Sequence, residues 1–263
     1  MPPAMCRLPF VVTIHDLIHL HYGTLLHRTY YNKIISPFLG GADRILTVSE
    51  YSRSEILAWS GLPSERVVSI HNGVSTEFAL DGDVFQPGFP YVLYVGNRKK
   101  HKNLERLIQG FGKARLDSEI RLAISGVENQ KLVELATKSG ISSQLVFLGR
   151  IEEKALPSIY RGALAACFVS LYEGFGLPPL EAMACGTPVL TSNVTSLPEV
   201  VGDAALMVEP HDVEAIADGL KRLVEDFFLR DELRRKGLER AKRFNWDKTA
   251  ELTWQVLQQA AKS

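Results

Sequence analysis

Short apolar runs of strand length alternate with segments of helical period along almost the whole chain, and this alternation limits the fold more than any other feature. The strand-length runs lie at residues 10–14, 44–48, 67–71, 91–96, 120–125, 144–148, 163–169, 188–191 and 205–208. Between them Leu104, Leu107, Ile108, Phe111 and Ala114 step at helical spacing behind Asn103, a residue type that caps helices. Val213, Ile216, Ala217, Leu220, Leu223 and Val224 do the same later. Strands that alternate with helices predict an α/β protein with parallel sheets, because every parallel connection needs a crossover.

A chain of 263 residues suffices for one large core or two smaller ones. Residues 75–90, STEFALDGDVFQPGFP, are rich in turn formers and lack any apolar period, so they read as a linker. The expected organisation is a partial N-terminal Rossmann-like domain over 1–74, the linker over 75–90, a second Rossmann-like domain over 91–245, and a closing helix over 246–263 that packs back toward the first domain. A Rossmann-like sheet has about six strands and the first segment offers about three, so the first domain is expected to be incomplete. In residues 10–14 only Thr13 interrupts the apolar run, which predicts a strand buried on both faces.

Composition excludes several classes. With 46% hydrophobic and 23% charged residues the chain is globular, and 30 basic residues cancel 30 acidic ones, leaving no global field toward nucleic acid. Cys6, Cys167 and Cys185 lack metal or redox spacing and read as reduced thiols. No run approaches the roughly 18 apolar residues of a spanning helix, and the opening MPPAMCRLPFVV lacks the small-residue cleavage site of a signal peptide.

Three constellations carry chemistry. In SLYEGFGLPPLEAMACGTPVL, residues 170–190, a strand ends, a glycine turn follows, Pro178 and Pro179 suit a helix start, and Glu181 falls in its first turns. Glu173 and Glu181 then lie near the carboxyl ends of parallel strands, where open α/β sheets bind ligands. A carboxylate there accepts several hydroxyl hydrogen bonds at once, and glycines admit a ligand to the backbone. The same spacing also fits a surface turn with a solvated Glu181. In GNRKKHKNL, residues 96–104, Arg98, Lys99, Lys100 and Lys102 gather positive charge at a helix start, a cradle for a diphosphate or a solvated basic face. In TIHD, His15 ends the first strand, where an imidazole either donates to a developing oxyanion or packs in a loop.

Other features have plainer readings. His15, Asp16, His19 and His21 are dense enough for a metal but share no helix face, and the Asp81-Gly82-Asp83 pair reads as a turn. Ser49 and Ser52 either cap the helix that follows them or reach a ligand.

The segment EGFGLPPLEAMACGTPV, with seven residues between Glu173 and Glu181, closely resembles the glutamate pair of retaining glycosyltransferases of the GT-B fold, the sucrose-synthase and mannosyltransferase-like family known as glycosyl transferases group 1. HDLIHLHY, DRILTVSEYSRSEI, HNGV, YVGNRKKHKNL, LVFLGRI and FNWDKTAELTWQVL fit the same family, so the resemblance covers essentially the whole chain. It implies an α/β chain of two Rossmann-like domains facing across a cleft, the first of them incomplete. It also implies that a hexose moves, with retention, from a nucleoside-diphosphate sugar to a glycan or lipid-linked acceptor. The wording is most similar to bacterial enzymes of surface polysaccharide synthesis, which makes GDP-mannose the first donor to consider.

By this resemblance His15 and Glu173 face the donor sugar and are the catalytic candidates. Gly96, Arg98, Lys102, Arg150, Gly174, Phe175, Gly176, Leu177 and Glu181 are donor-binding candidates, with Lys102 on the diphosphate, Glu181 on the ribose and Arg150 near the base. Asn97 stands where the family's arginine more often follows the glycine, and Arg98 comes one place later. The resemblance implies no metal and no cofactor, a cytoplasmic location compatible with peripheral contact at the inner membrane face, and no nucleic-acid partner. The short first domain leaves a second expectation: a non-catalytic or split-subunit nucleotide-sugar-binding module that self-associates or recruits a complementary N-terminal fragment.

Overall fold

The computed structural model describes residues 9–262, so Cys6 and nearly all of the opening segment lie outside the described residues. In chain order the elements begin β1 (Val11–Thr13), α1 (Ile18–Tyr22), α2 (Leu25–Tyr30), a π-helical turn, α3 (Ser36–Leu39), β2 (Arg44–Thr47), α4 (Glu50–Ser60) and β3 (Val67–Ser69). They continue β4 (Tyr91–Tyr94), α5 (Leu104–Ala114), β5 (Arg121–Ile124), α6 (Gln130–Lys138), β6 (Leu145–Phe147), α7 (Leu156–Gly162), β7 (Ala165–Phe168), α8 (Leu177–Ala184), β8 (Val189–Ser192), α9 (Leu197–Val201) and β9 (Leu206–Val208). Three helices close the chain: α10 (Val213–Glu225), α11 (Phe227–Ala241) and α12 (Trp246–Ala260).

The chain divides into two compact units. The first takes the residues up to Gly73, the short segment Tyr172–Phe175 and the stretch from Phe244 onward; the second takes Val74–Leu171 and Gly176–Arg243.

In the first unit β1, β2 and β3 form a parallel sheet in that order, with Val12 opposite Ile45 and Leu46 opposite Val68. One face packs Ile45, Val67 and Ile14 against Leu39, Ala42 and Ile56. On the other, Leu46 and Ile70 meet Val256 and Leu252 of α12. Burying each such side chain stabilises by roughly 1.5–3 kcal/mol. The expected two-sided burial of the first strand is not met: Val11 and Val12 are half-buried and Thr13 is exposed. The reason is position, since β1 pairs only with β2 among the described residues and so forms the sheet's edge.

The second unit holds a parallel sheet in the order β6-β5-β4-β7-β8-β9, the doubly wound arrangement that reverses direction between its first and fourth strands. Its central strands β4, β7 and β8 are buried at every residue, as near-continuous apolar runs covered on both faces must be. The helical periods are borne out, with Leu104, Leu107, Ile108, Phe111 and Ala114 of α5 and Ile216, Ala217, Leu220 and Leu223 of α10 sharing one core. α5 and α10 touch at Gly110, where a Cβ would stand 2.5 Å from Ile216 Cγ2. Residues 75–90 carry neither helix nor strand and are tied to the second unit, by Phe85 N–H to the Ser158 carbonyl and by Arg161 to the carbonyls of Ala79 and Asp83. Cys167 and Cys185 are free and buried, and burial pushes the Cys185 thiol up to about 12.

Candidate active site

In the second unit the candidates cluster at the carboxyl ends of β4 and β7, the switch point where the sheet reverses. After β4 the chain turns at Gly96, whose φ of +148° is one that side chains rarely adopt. The Gly96 N–H donates to Ser125 Oγ at 3.1 Å, holding this turn to the end of β5. Arg98 lies along the same edge. Its Nη2 donates to the carbonyls of Ser125 and Val127 at 3.1 and 2.5 Å, and its guanidinium stands 5.3 Å from the Phe147 ring centre. The structure therefore sets Arg98 on backbone oxygens and an aromatic face. Lys102 ends the short turn Lys100–Lys102 and is half-buried, whereas Lys99 and Lys100 are exposed.

Asn103 corrects the capping expectation. It precedes α5 in a left-handed conformation, φ 57°, and its side chain makes no cap hydrogen bond. Its Nδ2 instead donates to the carbonyls of Val169 and Pro210 at 2.9 and 2.7 Å, and its Oδ1 accepts from Arg106. Asparagine tolerates this backbone better than most residues, which frees the amide to tie three chain segments together.

α8 starts from Gly176, whose φ is +126° and where a Cβ would come 3.0 Å from Leu197 Cδ2. Leu177 is its first residue, and its amino terminus is an anion site in the general sense. Glu181, one turn in, is half-buried and accepts from the Tyr160 hydroxyl at 3.2 Å. Burial holds its carboxyl above the ordinary range, opposed by the Tyr160 hydrogen bond and aided by the charge of Glu153. Arg150 is exposed just past β6, beside Gly149, whose carbonyl accepts from Gly126 N–H at 2.7 Å.

In the first unit the structure brings His15 and Glu173 together. His15 is exposed in the turn after β1. Tyr172–Phe175 lies against that turn so closely that a Cβ on Gly174 would stand 2.6 Å from Asp16 Cβ and 3.1 Å from the His15 carbonyl oxygen. The Gly174 carbonyl accepts from two hydroxyls, Ser49 Oγ at 2.7 Å and Ser52 Oγ at 3.1 Å. Both readings of Ser49 are resolved at one atom: its oxygen also accepts from Ser52 N–H at 3.0 Å, capping α4. Phe175 packs with His71 and Phe244, ring centres 5.9 and 5.8 Å away, so its ring fills an aromatic cluster in this unit.

The dense histidines disperse. Asp16 Oδ1 accepts from Ile18 N–H, His19 stacks on His27 at 4.9 Å, and His21 Nε2 meets Glu55 Oε1 at 2.7 Å. Among the described residues no three His, Cys, Asp or Glu side chains converge as a metal site. Sequence reasoning missed Tyr160, Tyr172 and Glu55, none of which sits in a motif; their roles come from partners 21 and 117 positions apart.

Comparison with known proteins adds the family. The model for glycosyl transferases group 1 matches residues 80–243, and that for glycosyltransferase family 4 matches residues 2–78. O-antigen chain mannosyltransferase B of Escherichia coli is 35% identical over 254 residues, which is 90% of this chain and 67% of that one. The serotype-specific mannosyltransferase WbdA of Escherichia coli is 31% identical across 92% of this chain and 32% of its own length. The chain thus spans two thirds of one relative and about a third of the other. Among solved structures, sucrose-phosphate synthase from Thermosynechococcus elongatus matches with a TM-score of 0.83 at 23% identity, over 97% of this chain and 69% of that one. Anabaena HepE in complex with UDP and glucose matches with a TM-score of 0.82 at 17% identity, over 95% and 72%. These likenesses show the GT-B fold.

Proposed function

We propose that this chain, which belongs to the glycosyl transferases group 1 family, moves a hexose from a nucleoside-diphosphate sugar to a glycan or lipid-linked acceptor in polysaccharide synthesis, with GDP-mannose as the first donor. The observation that carries this reading is the switch point of the second sheet, where Lys102 follows β4 and Glu181 lies in the helix after β7. The mannosyltransferase names of the Escherichia coli relatives support the sugar class.

In this reading Lys102 and the amino terminus of α8, from Gly176 and Leu177, take the diphosphate, and Arg98 adds to the positive field along the same strand ends. These groups stabilise the charge that grows on the leaving diphosphate as the glycosidic bond breaks. Glu181 accepts from the ribose hydroxyls, and Arg150 and the Gly149 turn meet the base. In the first unit Glu173 and His15 orient the sugar, with Gly174 giving the close backbone approach. Retention follows the family resemblance. Charge neutralisation by side chains and a helix terminus is the chemistry by which such a transfer proceeds without a metal. The test is a calorimetric panel of GDP, UDP, TDP and ADP with their sugars, followed by product analysis of the anomeric linkage. Binding of none of them removes the donor site.

A second reading, a binding module that works with a complementary polypeptide, has its own observation. β1 is an edge strand, and beside it lies a cavity of about 930 Å³ walled by Val12, Ile14, Tyr31, Ile34 and Phe38. Open edges of parallel sheets with apolar neighbours invite pairing.

Among the described residues no helix is long and apolar enough to cross a membrane.

A further inference from the structure

Glu173 has a clamp on either side of it within the first unit. On one side, Tyr172 is buried at 3% exposure, and its hydroxyl donates to Glu55 Oε2 at 2.5 Å and accepts from Leu17 N–H at 3.2 Å. On the other, the Gly174 carbonyl accepts from Ser49 and Ser52. Three of these partners come from the start of one helix, since Ser49 caps α4 and Ser52 and Glu55 follow at steps of three, on one face.

The Glu55 carboxylate is itself held. Its second oxygen meets His21 Nε2 at 2.7 Å, and its side chain is only 16% exposed. Rings of His21, Tyr51 and Tyr22 surround the Tyr172 ring at 5.0, 6.1 and 6.3 Å. Tyr172 keeps its proton at any ordinary pH, because burial and then the hydrogen bond to Glu55 hold its phenol far above the usual range. It therefore stays a donor. Through Leu17 the same phenol fixes the turn that carries His15, two residues earlier.

We infer that Glu55 and Tyr172 are positioning residues: the Glu55–Tyr172 hydrogen bond, together with the Ser49 and Ser52 bonds to Gly174, sets the direction of the Glu173 carboxylate and of the His15 turn. This rests on the reading that Glu173 contacts the donor sugar. Side chains that react or orient must be held within about 0.5 Å, and a loop residue achieves this only when its neighbours are locked. None of the four partners touches substrate in this account; they act through the backbone of residues 172–174.

The experiment compares two affinities by calorimetry on the full chain, GDP with GDP-mannose and UDP with UDP-glucose, so that the gain due to the sugar is read apart from the nucleotide. Tyr172→Phe and Glu55→Ala are expected to cut the sugar-dependent gain about tenfold, the size of one charged hydrogen bond, while the affinity for the nucleoside diphosphate alone changes less than twofold. Glu55→Gln, whose amide oxygen still accepts from Tyr172, restores most of the gain. A merely structural role would lower the melting temperature and leave the gain intact, and that result overturns the inference. Glu173→Ala separates the two levels. If it leaves the sugar gain unchanged, or if the unaltered chain shows no gain, the reading beneath fails. If it abolishes the gain while Tyr172→Phe and Glu55→Ala do not, only the positioning inference fails.

Discussion

The Ser49 hydroxyl donates a 2.7 Å hydrogen bond to the carbonyl oxygen of Gly174, 125 positions away in the sequence, and with the same oxygen caps its own helix. One buried atom thus couples the start of α4 to the glutamate loop. Ser49→Ala is expected to lose both bonds, at about 1–2 kcal/mol for the cap plus about 1 kcal/mol for the loop contact, read as a lower melting temperature. A melting temperature equal to that of the unaltered chain would show that neither bond contributes.

Gly174 has no space for a side chain. Gly174→Ala drives a Cβ to 2.6 Å from Asp16 Cβ, so either the loop or the His15 turn must move. Overpacking of this kind costs about 1–3 kcal/mol. Turnover is expected to fall at least tenfold, while binding of the nucleoside diphosphate is retained. Full activity in Gly174→Ala would mean that the close approach plays no part.

Lys102 and its neighbours make a controlled comparison. Lys102→Ala is expected to weaken nucleoside diphosphate binding by 1–3 kcal/mol, about tenfold or more, through one lost charged hydrogen bond. Lys99 and Lys100 are exposed, and Lys100→Ala should change affinity less than threefold. Equal losses in both would reduce the region to a diffuse basic field.

Glu181 gives a pH dependence with a definite sign. Its carboxyl is raised by burial above the ordinary value, so the folded chain binds more protons than the unfolded chain in the window between the two. Stability from this group is present below about pH 4 and declines as pH climbs through the raised value. Glu181→Gln buries no charge, so its melting temperature should rise relative to the unaltered chain with increasing pH, while nucleotide affinity at neutral pH drops. Parallel melting curves for the two proteins across pH would contradict the raised carboxyl.

Asn103 separates a backbone from a side-chain requirement. Asn103→Ala removes two buried donors' bonds and places alanine at φ 57°, for about 2–3 kcal/mol or more and a fall of roughly 5–10 °C. Asn103→Gly relieves the backbone but not the lost ties, so differential scanning calorimetry should show it only slightly better than alanine. Recovery to the unaltered stability would assign the position to conformation alone.

What the sequence by itself determined is what depends on near neighbours. The buried positions of α5 and α10 follow from spacing along one helix face, and the apolar runs of β4, β7 and β8 follow from burial on two faces, because both patterns repeat within a few residues. The glutamate segment at 173–181 was legible for the same reason: its glycines, prolines and carboxylates are contiguous. The tertiary structure alone decided the rest. It assigned Tyr172–Phe175 to the first unit, turned Asn103 from a cap into a tie, made β1 an edge, and gave Glu181 and Glu55 tyrosine partners. Hydrogen bonds between residues more than a hundred positions apart leave no periodic trace, since any of several serines, tyrosines or glutamates has the right chemistry, and only the closed fold selects which donor meets which acceptor.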